Sequence, residues 1–416
     1  MLPPSRLSPR QGAAALALIV LLALAVRLAA GMVLSANLGD ADQASYFMMA
    51  QTLAGQAPMR DIWGNAAFYS PGYPFVLAPF FALFGAWPAV ALVPNLILVA
   101  ISILLLHALA RRLAGRGVAL LAALFFALLA PMVVANVTLT RENLSVPLLI
   151  GFALALVMLL DTRRPRIVAA VAGLIYGAGV LAGGSVILTA LALPLALWWR
   201  GRAGRPGGPA VAFALGVAVV LGPWLWHTDA MLGRPVLTTN AAFNLYIGNN
   251  ANATGRFVSM RDTPLGSDRW RQLHRDLGEL AATDRLGDLA RAHIAAHPGD
   301  TARLAAWKLA LFWLPEPPHA DEGQGLAVRL LRWASVAQQL ALLAMAAVAL
   351  TGWRRFGRGM RVMLAVMALF WAVHAGAYVI PRYNLPVMPF LCLLAAGATA
   401  PLLRRAAPAR LKMVLA

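Results

Sequence analysis

Charged residues are scarce in this sequence. Only 12% of the 416 residues are charged, 61% are hydrophobic and the mean hydropathy is +0.72. A soluble domain carries roughly 25% charged residues, so this chain has too little polar surface to fold in water alone. The lipid bilayer is then its main solvent, and bilayers are spanned by helices whose backbone bonds are satisfied internally. The composition excludes an ordinary soluble enzyme and predicts an all-α, polytopic membrane protein.

Cysteine, lysine and several enzyme signatures are also nearly or wholly missing. The one cysteine, Cys392, excludes an intramolecular disulfide. The two lysines are Lys308 and Lys412, so almost all positive charge is arginine. The sequence has no Walker A motif, no GxSxG elbow and no HExxH motif. Pumps and hydrolases that depend on those motifs are therefore disfavoured.

Acidic residues are few and unevenly placed. Against 16 acids stand 35 basic residues, and 19 of these form clusters with only Asp161 among them. The clusters are Arg6/Arg10, Arg111/Arg112/Arg116, Arg163/Arg164/Arg166, Arg200/Arg202/Arg205, Arg354/Arg355/Arg358/Arg361 and Arg404/Arg405/Arg410/Lys412. Loops rich in arginine and lysine stay on the cytoplasmic side of a membrane. The net charge of +19 is thus explained by topology and does not indicate nucleic-acid binding.

Long apolar runs predict about ten membrane spans. The first run is too long for a signal-peptide core and is expected to stay uncleaved. The predicted spans are 12–34, 89–110, 117–135, 143–160, 167–183, 185–199, 209–226, 327–350, 362–380 and 385–403. Ten spans place both termini on the cytoplasmic side of the membrane. We expect one transmembrane domain over 1–403, with a first outer loop at 35–88, a large outer segment at 227–326 and a basic cytoplasmic tail at 404–416.

The large outer segment has helical patterning of its own. Leucine spacing in Asp268–His297 predicts two short helices at the membrane surface. Arg303–Leu314 is too short to span, and its aromatic residues and Lys308 suggest an interfacial helix. His293 and His297 have the spacing of a zinc pair, but no third ligand is near them in the sequence. We expect no cofactor; a divalent metal stays open as an alternative, but the sequence does not indicate one.

Two carboxylates follow the first span directly. Asp40 and Asp42 lie where an apolar helix leaves the bilayer, and Tyr46 is one helical turn beyond Asp42. Aspartate is a favoured helix N-cap, so capping is the simpler interpretation. Two carboxylates so close together rarely both cap, and an ionised group at this depth is costly without a partner. The pair is a candidate catalytic site.

Two further segments carry charge at predicted outer helix starts. Thr140-Arg141-Glu142-Asn143 begins the fourth span, and Pro381-Arg382-Tyr383 begins the last. Arginine at these places either anchors the helix at the interface or binds phosphate. The outer segment also contains Gly248-Asn249-Asn250 and, a few residues later, Arg256. Glycine and asparagine at this density form either a plain loop or an anion-binding nest of backbone N–H groups.

Taken in order, these pieces resemble the bacterial GT-C glycosyltransferases, a superfamily that includes the lipid A aminoarabinose transferases and the protein O-mannosyltransferases. The residues that carry the resemblance are Asp42-Gln43-Ala44-Ser45-Tyr46, Ser70-Pro71-Gly72-Tyr73-Pro74, Arg141-Glu142-Asn143-Leu144, Asn244-Leu245-Tyr246-Ile247-Gly248-Asn249-Asn250 and Pro381-Arg382-Tyr383. The chain departs from the aminoarabinose transferases in having Tyr69-Ser70 where they place a lysine.

The resemblance implies a GT-C bundle and an inverting glycosyltransferase that takes its sugar from a polyprenyl phosphate and transfers it on the outer side of the membrane. The implied catalytic residues are Asp42 as the base, assisted by Asp40 and Glu142. The expected substrate-binding residues are Tyr46, Tyr73, Arg141, Asn249, Asn250, Arg256, Lys308, Arg382 and Tyr383. The partners are the donor, the bilayer and a lipid, glycan or protein acceptor. A secondary transporter or lipid flippase is the alternative, and a non-catalytic scaffold would leave Asp40 and Asp42 unexplained.

Overall fold

The structure is a computed structural model that describes residues 8–34, 41–201, 207–315 and 326–406. Within these ranges it is almost entirely helical, and the one β pairing is a bridge between Arg256 and Val379. The α-helices are α1 Pro9–Leu34, α2 Ala41–Ala54, α3 Gly72–Phe84, α4 Leu92–Ala114, α5 Arg116–Ala127, α6 Ala130–Asn136, α7 Glu142–Leu159, α8 Pro165–Ala182, α9 Ala192–Arg200, α10 Gly207–Leu232, α11 Asn240–Gly248, α12 Ser267–Ala296, α13 Pro298–Leu311, α14 Leu326–Thr351, α15 Arg358–Ala372 and α16 Met388–Ala406. Short 3₁₀ helices lie at Pro88–Ala91, Gly184–Leu191, Met260–Asp262, Trp353–Arg355, Val373–Ala375 and Pro381–Val387.

Eight helical segments in the described part of the chain are long and apolar enough to cross a membrane. They are Pro9–Met32, Pro88–Ala114, Glu142–Leu159, Pro165–Ala182, Gly207–Leu232, Arg332–Thr351, Arg358–Ala375 and Pro381–Ala400. These confirm eight of the ten predicted spans. The other two, 117–135 and 185–199, are irregular and need a separate account.

The predicted span 117–135 is a bent pair, α5 and α6, with 59° between them. The bend frees backbone groups that lipid cannot satisfy, and buried side chains satisfy them instead. Arg27 of α1, fully buried, donates to the Ala127 carbonyl at 2.7 Å. Gln338 of α14 donates to the Leu128 carbonyl at 2.9 Å and accepts from the Ala130 amide at 2.8 Å. Side chains from two neighbouring helices, α1 and α14, therefore satisfy the backbone groups that the bend frees.

The predicted span 185–199 is a 3₁₀ helix, Gly184–Leu191, followed by α9. A 3₁₀ helix rises about 2.0 Å per residue and an α-helix about 1.5 Å, so together they extend about 30 Å, the thickness of the hydrocarbon core. Its start lies beside Arg141, since a Cβ on Gly183 would be 3.2 Å from that guanidinium. Its end reaches the start of α8, where Arg200 donates to the Leu159 and Thr162 carbonyls at 2.8 and 2.9 Å. The segment therefore runs the length of α8 although it is short.

Basic residues from several helices meet at one end of the bundle, here called the basic end and comprising 111–116, 161–166, 199–200 and 358. Arg112 pairs with Asp161. Arg358 donates to the Trp199 carbonyl at 2.9 Å, next to Arg200. The clustering inferred from the sequence is thus a spatial cluster as well. The basic residues at 6, 202, 205, 410 and 412 lie outside the described residues, as does most of the predicted tail 404–416.

Close helix packing in the bundle depends on small residues. A Cβ on Gly173 of α8 would lie 2.1 Å from the Phe213 carbonyl oxygen of α10, and one on Gly216 would lie 2.4 Å from the Ala170 oxygen. These distances allow only glycine at the crossing, as is usual where membrane helices touch through their backbones. The main apolar cluster spreads from here through α4, α5, α7, α15 and α16.

The outer segment forms a helical layer at the end of the bundle opposite the basic end. α12 is broken at Gly278, where φ is 77°, so it consists of two helices as the leucine spacing predicts. α13, of 14 residues, is shorter than a span. Glu279, just after the break, accepts hydrogen bonds from the Ala66 and Ala67 amides at 2.7 and 3.0 Å and from the Thr239 hydroxyl at 2.7 Å. One carboxylate therefore ties the first outer loop to the outer layer.

We expect Glu279→Gln to loosen this loop. The amide presents one acceptor oxygen where the carboxylate presents two, so at least one backbone N–H loses its partner, at a cost of about 1–3 kcal/mol. Hydrogen exchange of the Ala66 and Ala67 amides should quicken by roughly tenfold or more. Asp284→Asn is the matched control, because Asp284 is on the same helix but pairs with the exposed Arg234. Unchanged protection in Glu279→Gln would contradict this role.

Candidate active site

Two acids and an arginine from distant parts of the chain meet at the outer-layer end of the bundle. Asp42 lies in the first turn of α2, Glu142 begins α7, and Arg382 lies in the 3₁₀ helix before α16. The Arg382 guanidinium pairs with Asp42 through Nη2, and its Nε lies 4.0 Å from Glu142 Oε1. The Glu142 side chain is 4% exposed and that of Asp42 is 34% exposed. Arg382 thus lies between a buried carboxylate and an accessible one.

Asp40, the partner that the sequence suggests for Asp42, lies outside the described residues. α2 begins at Ala41, so Asp42 is inside the first turn, where a carboxylate interacts favourably with the helix dipole. As the second residue of the helix, Asp42 is not at the N-cap position, and its carboxylate forms the ion pair with Arg382.

A second arginine lies on the other side of Glu142. Arg141 Nε is 3.5 Å from Glu142 Oε1, and the guanidinium carbon lies 5.6 Å from the centroid of the Tyr383 ring. This is cation–π geometry, and it holds Arg141 against the segment that carries Arg382. Glu142 therefore stands between two guanidinium groups, which offset the cost of burying its charge.

Tyrosine rings surround these charges. Five of the seven tyrosines in the chain lie in the first outer loop or next to Arg382. Tyr46 packs edge-on against Tyr69 and Tyr73 at 5.6 and 5.8 Å, and Tyr378 stacks on Tyr383 at 6.0 Å. Burial raises the pKa of the Tyr46 phenol well above its ordinary value; Arg141 opposes that rise and Glu142 adds to it. The phenol stays protonated and keeps its capacity to donate.

A buried polar network lies behind this site, and sequence reasoning missed it. Tyr73 donates to Asn95 at 2.9 Å, and Asn95 donates to the Asn136 carbonyl at 3.1 Å. Asn136 donates to the Asn143 side chain at 2.7 Å and accepts from Arg27 Nε at 2.8 Å. The network fixes the turn before α7 and hence the start of α7, where Glu142 is placed. Asparagines inside apolar runs are the signal that points to it.

The asparagine loop is engaged with the protein in a way that the anion-nest interpretation does not anticipate. The Asn249 amide donates to the Leu245 and Gly376 carbonyls at 2.8 and 2.7 Å. Asn250 donates to the Tyr246 carbonyl at 2.9 Å. Both side chains are buried, so they shape the loop and attach it to the segment after α15. A Cβ on Gly248 would lie 2.5 Å from the Ala377 carbonyl carbon, which explains the glycine there.

Lys308 and Arg256 also attach the outer layer to this segment. Lys308, fully buried, donates to Asn249 Oδ1 at 3.0 Å and to the Ala375 carbonyl at 3.4 Å. Arg256 donates to the Leu314 carbonyl at 3.4 Å, and its backbone pairs with Val379. The structure therefore brings Asp42, Glu142, Arg141, Arg382 and the tyrosines together and places Asn249, Asn250, Arg256 and Lys308 beside them, around residues 375–379.

Lys308 should make stability depend on pH in the alkaline range. Burial lowers the pKa of its ammonium to about 8, whereas the pKa of a lysine in an unfolded chain is about 10.4. Between these values the unfolded state binds more protons, so stability rises with pH; below about pH 8 both states are charged and burial carries its full cost.

In Lys308→Met this titration is absent. From pH 7 to pH 9.5 the stability of the wild type relative to Lys308→Met should rise by about 2 kcal/mol. Thermal unfolding of both proteins in one detergent, followed by intrinsic fluorescence, measures the difference. A difference that does not change with pH would contradict the buried position of the ammonium.

Among the described residues, no three His, Cys, Asp or Glu side chains are grouped so that they could hold a metal ion. His293 and His297 are adjacent, with ring centroids 4.7 Å apart, and they lie on the outer layer at the end of α12.

Residues 69–227 match the family described as dolichyl-phosphate-mannose-protein mannosyltransferase. A search of proteins with curated functions gave no significant match. The matched segment includes Tyr69, Tyr73, Arg141 and Glu142, so it covers one half of the site. Asp42 and Arg382 lie outside it on either side.

The fold is similar to that of the oligosaccharyltransferase of Archaeoglobus fulgidus. The apo enzyme has a TM-score of 0.57 and 14% identity over 96% of this chain and 51% of its own. The complex of the same enzyme, AglB, with an inhibitory peptide and a dolichol-phosphate has a TM-score of 0.55 and 14% identity over 95% and 50%. This chain therefore spans about half the length of those enzymes.

ArnT from Cupriavidus metallidurans, bound to undecaprenyl phosphate, aligns over 94% of this chain and 80% of its own with 14% identity and a TM-score of 0.47. The family match and the oligosaccharyltransferase fold confirm the resemblance that the motifs indicated. The chain is a membrane protein with the GT-C fold, and it is similar to GT-C glycosyltransferases.

Proposed function

We propose that this protein is an inverting glycosyltransferase that moves a sugar from a polyprenyl-phosphate donor to an acceptor hydroxyl at the outer face of the bacterial inner membrane. The observation that carries the proposal is the meeting of Asp42, Arg382 and Glu142 at the end of the bundle. An accessible carboxylate, a fork-shaped cation and a buried second carboxylate are the groups that this reaction needs. A lipid-linked donor also explains why the site is built on membrane helices.

In the proposed reaction the acceptor oxygen attacks the anomeric carbon from the face opposite the phosphate. The new carbon–oxygen bond forms as the bond from the anomeric carbon to the phosphate oxygen breaks, and its electron pair leaves with polyprenyl phosphate. Asp42 takes the proton from the acceptor hydroxyl and later releases it to water. The products are the glycosylated acceptor, with inverted configuration, and the lipid phosphate.

Arg382 has two successive roles in this proposal. Before the donor arrives, its guanidinium is paired with the Asp42 carboxylate. The donor phosphate competes for the same guanidinium, whose planar fork can hold two oxygens at once. When Arg382 turns to the phosphate, Asp42 is released to act as a base, and the growing charge on the leaving group is met by a cation. Donor binding would thereby activate the site.

The remaining residues supply position and shape. Arg141 and Arg382 flank Glu142, so we assign Glu142 the role of fixing both guanidinium groups. Tyr383 is only partly buried and is the tyrosine that we assign to contact with the donor sugar, whereas Tyr46 and Tyr73 are buried and shape the site from behind. We assign Arg256, Asn249, Asn250 and Lys308 to the support of residues 375–379, with Arg256 able to add charge near the phosphate. The arginines would provide the positive charge, so we propose that a metal is not required, and activity should withstand chelators.

The family match favours a mannosyl phosphate donor, because the description of the matched family names dolichyl-phosphate-mannose. The similar archaeal oligosaccharyltransferase holds a dolichol-phosphate in one of its complexes, which is the kind of leaving group proposed here. A hexosyl donor is therefore the first to test, and a pentosyl donor such as aminoarabinosyl phosphate is the second.

The test uses purified enzyme reconstituted in liposomes with polyprenyl-phosphate mannose and, separately, polyprenyl-phosphate aminoarabinose. Envelope material from a strain lacking the gene is the acceptor source. Release of polyprenyl phosphate together with labelled sugar on the acceptor supports the proposal. Movement of the intact donor between leaflets without release would identify a flippase instead. Mass spectrometry of lipids, glycans and proteins from the deletion strain then identifies the missing sugar.

The proposed orientation places the basic end in the cytoplasm and the outer layer outside the membrane. In a first variant, Ser267→Cys combined with Cys392→Ser, the new thiol should react with an impermeant maleimide in intact spheroplasts. The native Cys392 is fully buried and its removal leaves a single thiol. In a second variant, Thr162→Cys combined with Cys392→Ser, the thiol lies in the basic end and should react only after lysis. The reverse pattern would invert the topology and remove the proposed outer site.

A further inference from the structure

A cavity of about 510 Å³ opens on the outer layer, separate from the cluster of Asp42, Arg382 and Glu142. One wall is the turn of residues 249–253, and the others come from the end of α12 and the exposed face of α13. Its side chains include His293, His297, Arg303 and Trp307. A volume in the range of roughly 300–1,000 Å³ suits a small ligand or part of a larger one.

The lining suits a neutral ligand with many hydroxyl groups. Arg303 pairs with Asp300 within α13, so the two opposite charges on the lining offset each other. Trp307 is half exposed, and the His293 and His297 rings lie 4.7 Å apart, which provides flat apolar faces. Thr301, Asp300, Arg303 and the imidazoles supply donors and acceptors around them. Flat rings edged by polar groups match a sugar, which has apolar C–H faces and hydroxyl edges.

The cavity wall is also part of the support of the candidate active site. Asn249 lines the cavity, and its amide donates to the Gly376 carbonyl at 2.7 Å. Lys308, one residue after Trp307, joins Asn249 to the Ala375 carbonyl. Gly255 accepts from the Val379 amide at 2.9 Å. A ligand in the cavity therefore contacts Asn249, which helps to hold residues 375–379, and these residues lead directly to Arg382.

We infer that this cavity binds the saccharide portion of the acceptor, away from the reacting hydroxyl. The inference rests on the proposed function, because it names the class of its second substrate. Binding energy from such a remote part of a substrate helps to hold the reacting hydroxyl in place. The acceptor is then a glycan or glycolipid that already carries sugar.

Variants of the exposed cavity residues test the inference. In Trp307→Ala and Arg303→Ala the KM for the acceptor should rise at least tenfold, while the KM for polyprenyl-phosphate mannose is unchanged. Arg291→Ala is the matched control for Arg303→Ala, because Arg291 forms the same exposed i,i+3 pair with Asp288 on α12. Trp63→Ala, at an exposed tryptophan of the first outer loop, is the control for Trp307→Ala. The acceptor source is envelope material from the deletion strain.

The same assay separates the ways in which the inference can fail. If Arg303→Ala and Trp307→Ala fold and keep the wild-type acceptor KM, the cavity does not bind the acceptor. Periodate, which destroys vicinal diols, should abolish the acceptor capacity of the envelope material, and protease should leave it intact. A capacity lost to protease and resistant to periodate would make the acceptor a protein and overturn the saccharide assignment. If the wild type transfers no sugar to any material, the proposed function itself fails.

Discussion

Asp42→Asn should lower the rate of sugar transfer by roughly 100- to 10,000-fold, the usual loss when a general base is removed. The substitution keeps the size and the hydrogen-bonding shape of the side chain but removes its basicity. Because Asn cannot form the ion pair with Arg382, the donor phosphate no longer has to compete for that guanidinium. We therefore expect the loss in kcat, with the KM for the donor unchanged or lower. Initial rates in liposomes, measured over a range of donor concentrations, give both the kcat and the KM for the donor.

The matched control for this substitution is Asp284→Asn. Asp284 also pairs with an arginine, Arg234, at 2.9 Å, but on the surface of the outer layer. Exposed pairs of this kind contribute about 0–1 kcal/mol to stability, so Asp284→Asn should keep the wild-type rate. If Asp42→Asn also transferred sugar at the wild-type rate, Asp42 would not be the base, and Asp40 would be the next carboxylate to test.

Much of the fold follows from the sequence because the bilayer restricts it. Apolar length and the arginine clusters predict the spans and their alternation, and the structure gathers the described parts of four of those clusters at one end. The irregular spans were harder to foresee. The bend after Ala127 depends on Arg27 and Gln338, which come from other helices. The short segment beginning at Gly184 reaches across only because a 3₁₀ helix is longer per residue.

The candidate site was only partly predictable for the same physical reason. Asp42 and Glu142 could be identified locally, since each is an acid at a helix start in a chain with few acids. Their connection through Arg382 joins residues 340 positions apart, and no local pattern encodes such a pairing. The asparagine loop shows the opposite limit. Its composition allowed a plain loop or an anion nest of backbone N–H groups, but it could not show that the Asn249 and Asn250 side chains donate to buried carbonyls.

Glu142 illustrates why burial matters for the whole cluster. A buried carboxylate is costly unless opposite charges compensate it, and here Arg141 and Arg382 stand on two sides of it. In the proposed reaction the buried acid keeps both arginines at the site, and the accessible acid, Asp42, is the one whose partner changes. Substitution of Arg382 tests this division directly.

Arg382→Lys should lose most activity although it keeps the positive charge. The lysine ammonium is a point charge and cannot reproduce a fork that approaches Asp42 and Glu142 together and then holds two phosphate oxygens. We expect kcat/KM to fall roughly 10- to 100-fold. Donor binding weakens and sugar transfer slows, because a preorganised cation that stabilises the developing phosphate charge is lost. Arg234→Lys, in the surface pair with Asp284, is the control and should be neutral.

The measurement is a titration of reconstituted Arg382→Lys and Arg234→Lys with polyprenyl-phosphate sugar. A rise in the KM for the donor and a fall in kcat, confined to Arg382→Lys, would support the phosphate role. An arginine that only anchors the last span at the interface would tolerate lysine, since both residues serve equally well there. Unchanged affinity and turnover would therefore assign Arg382 to anchoring. The phosphate would then have to be met by Arg256, whose backbone pairs with Val379 three residues before Arg382, and Arg256→Ala should weaken donor binding.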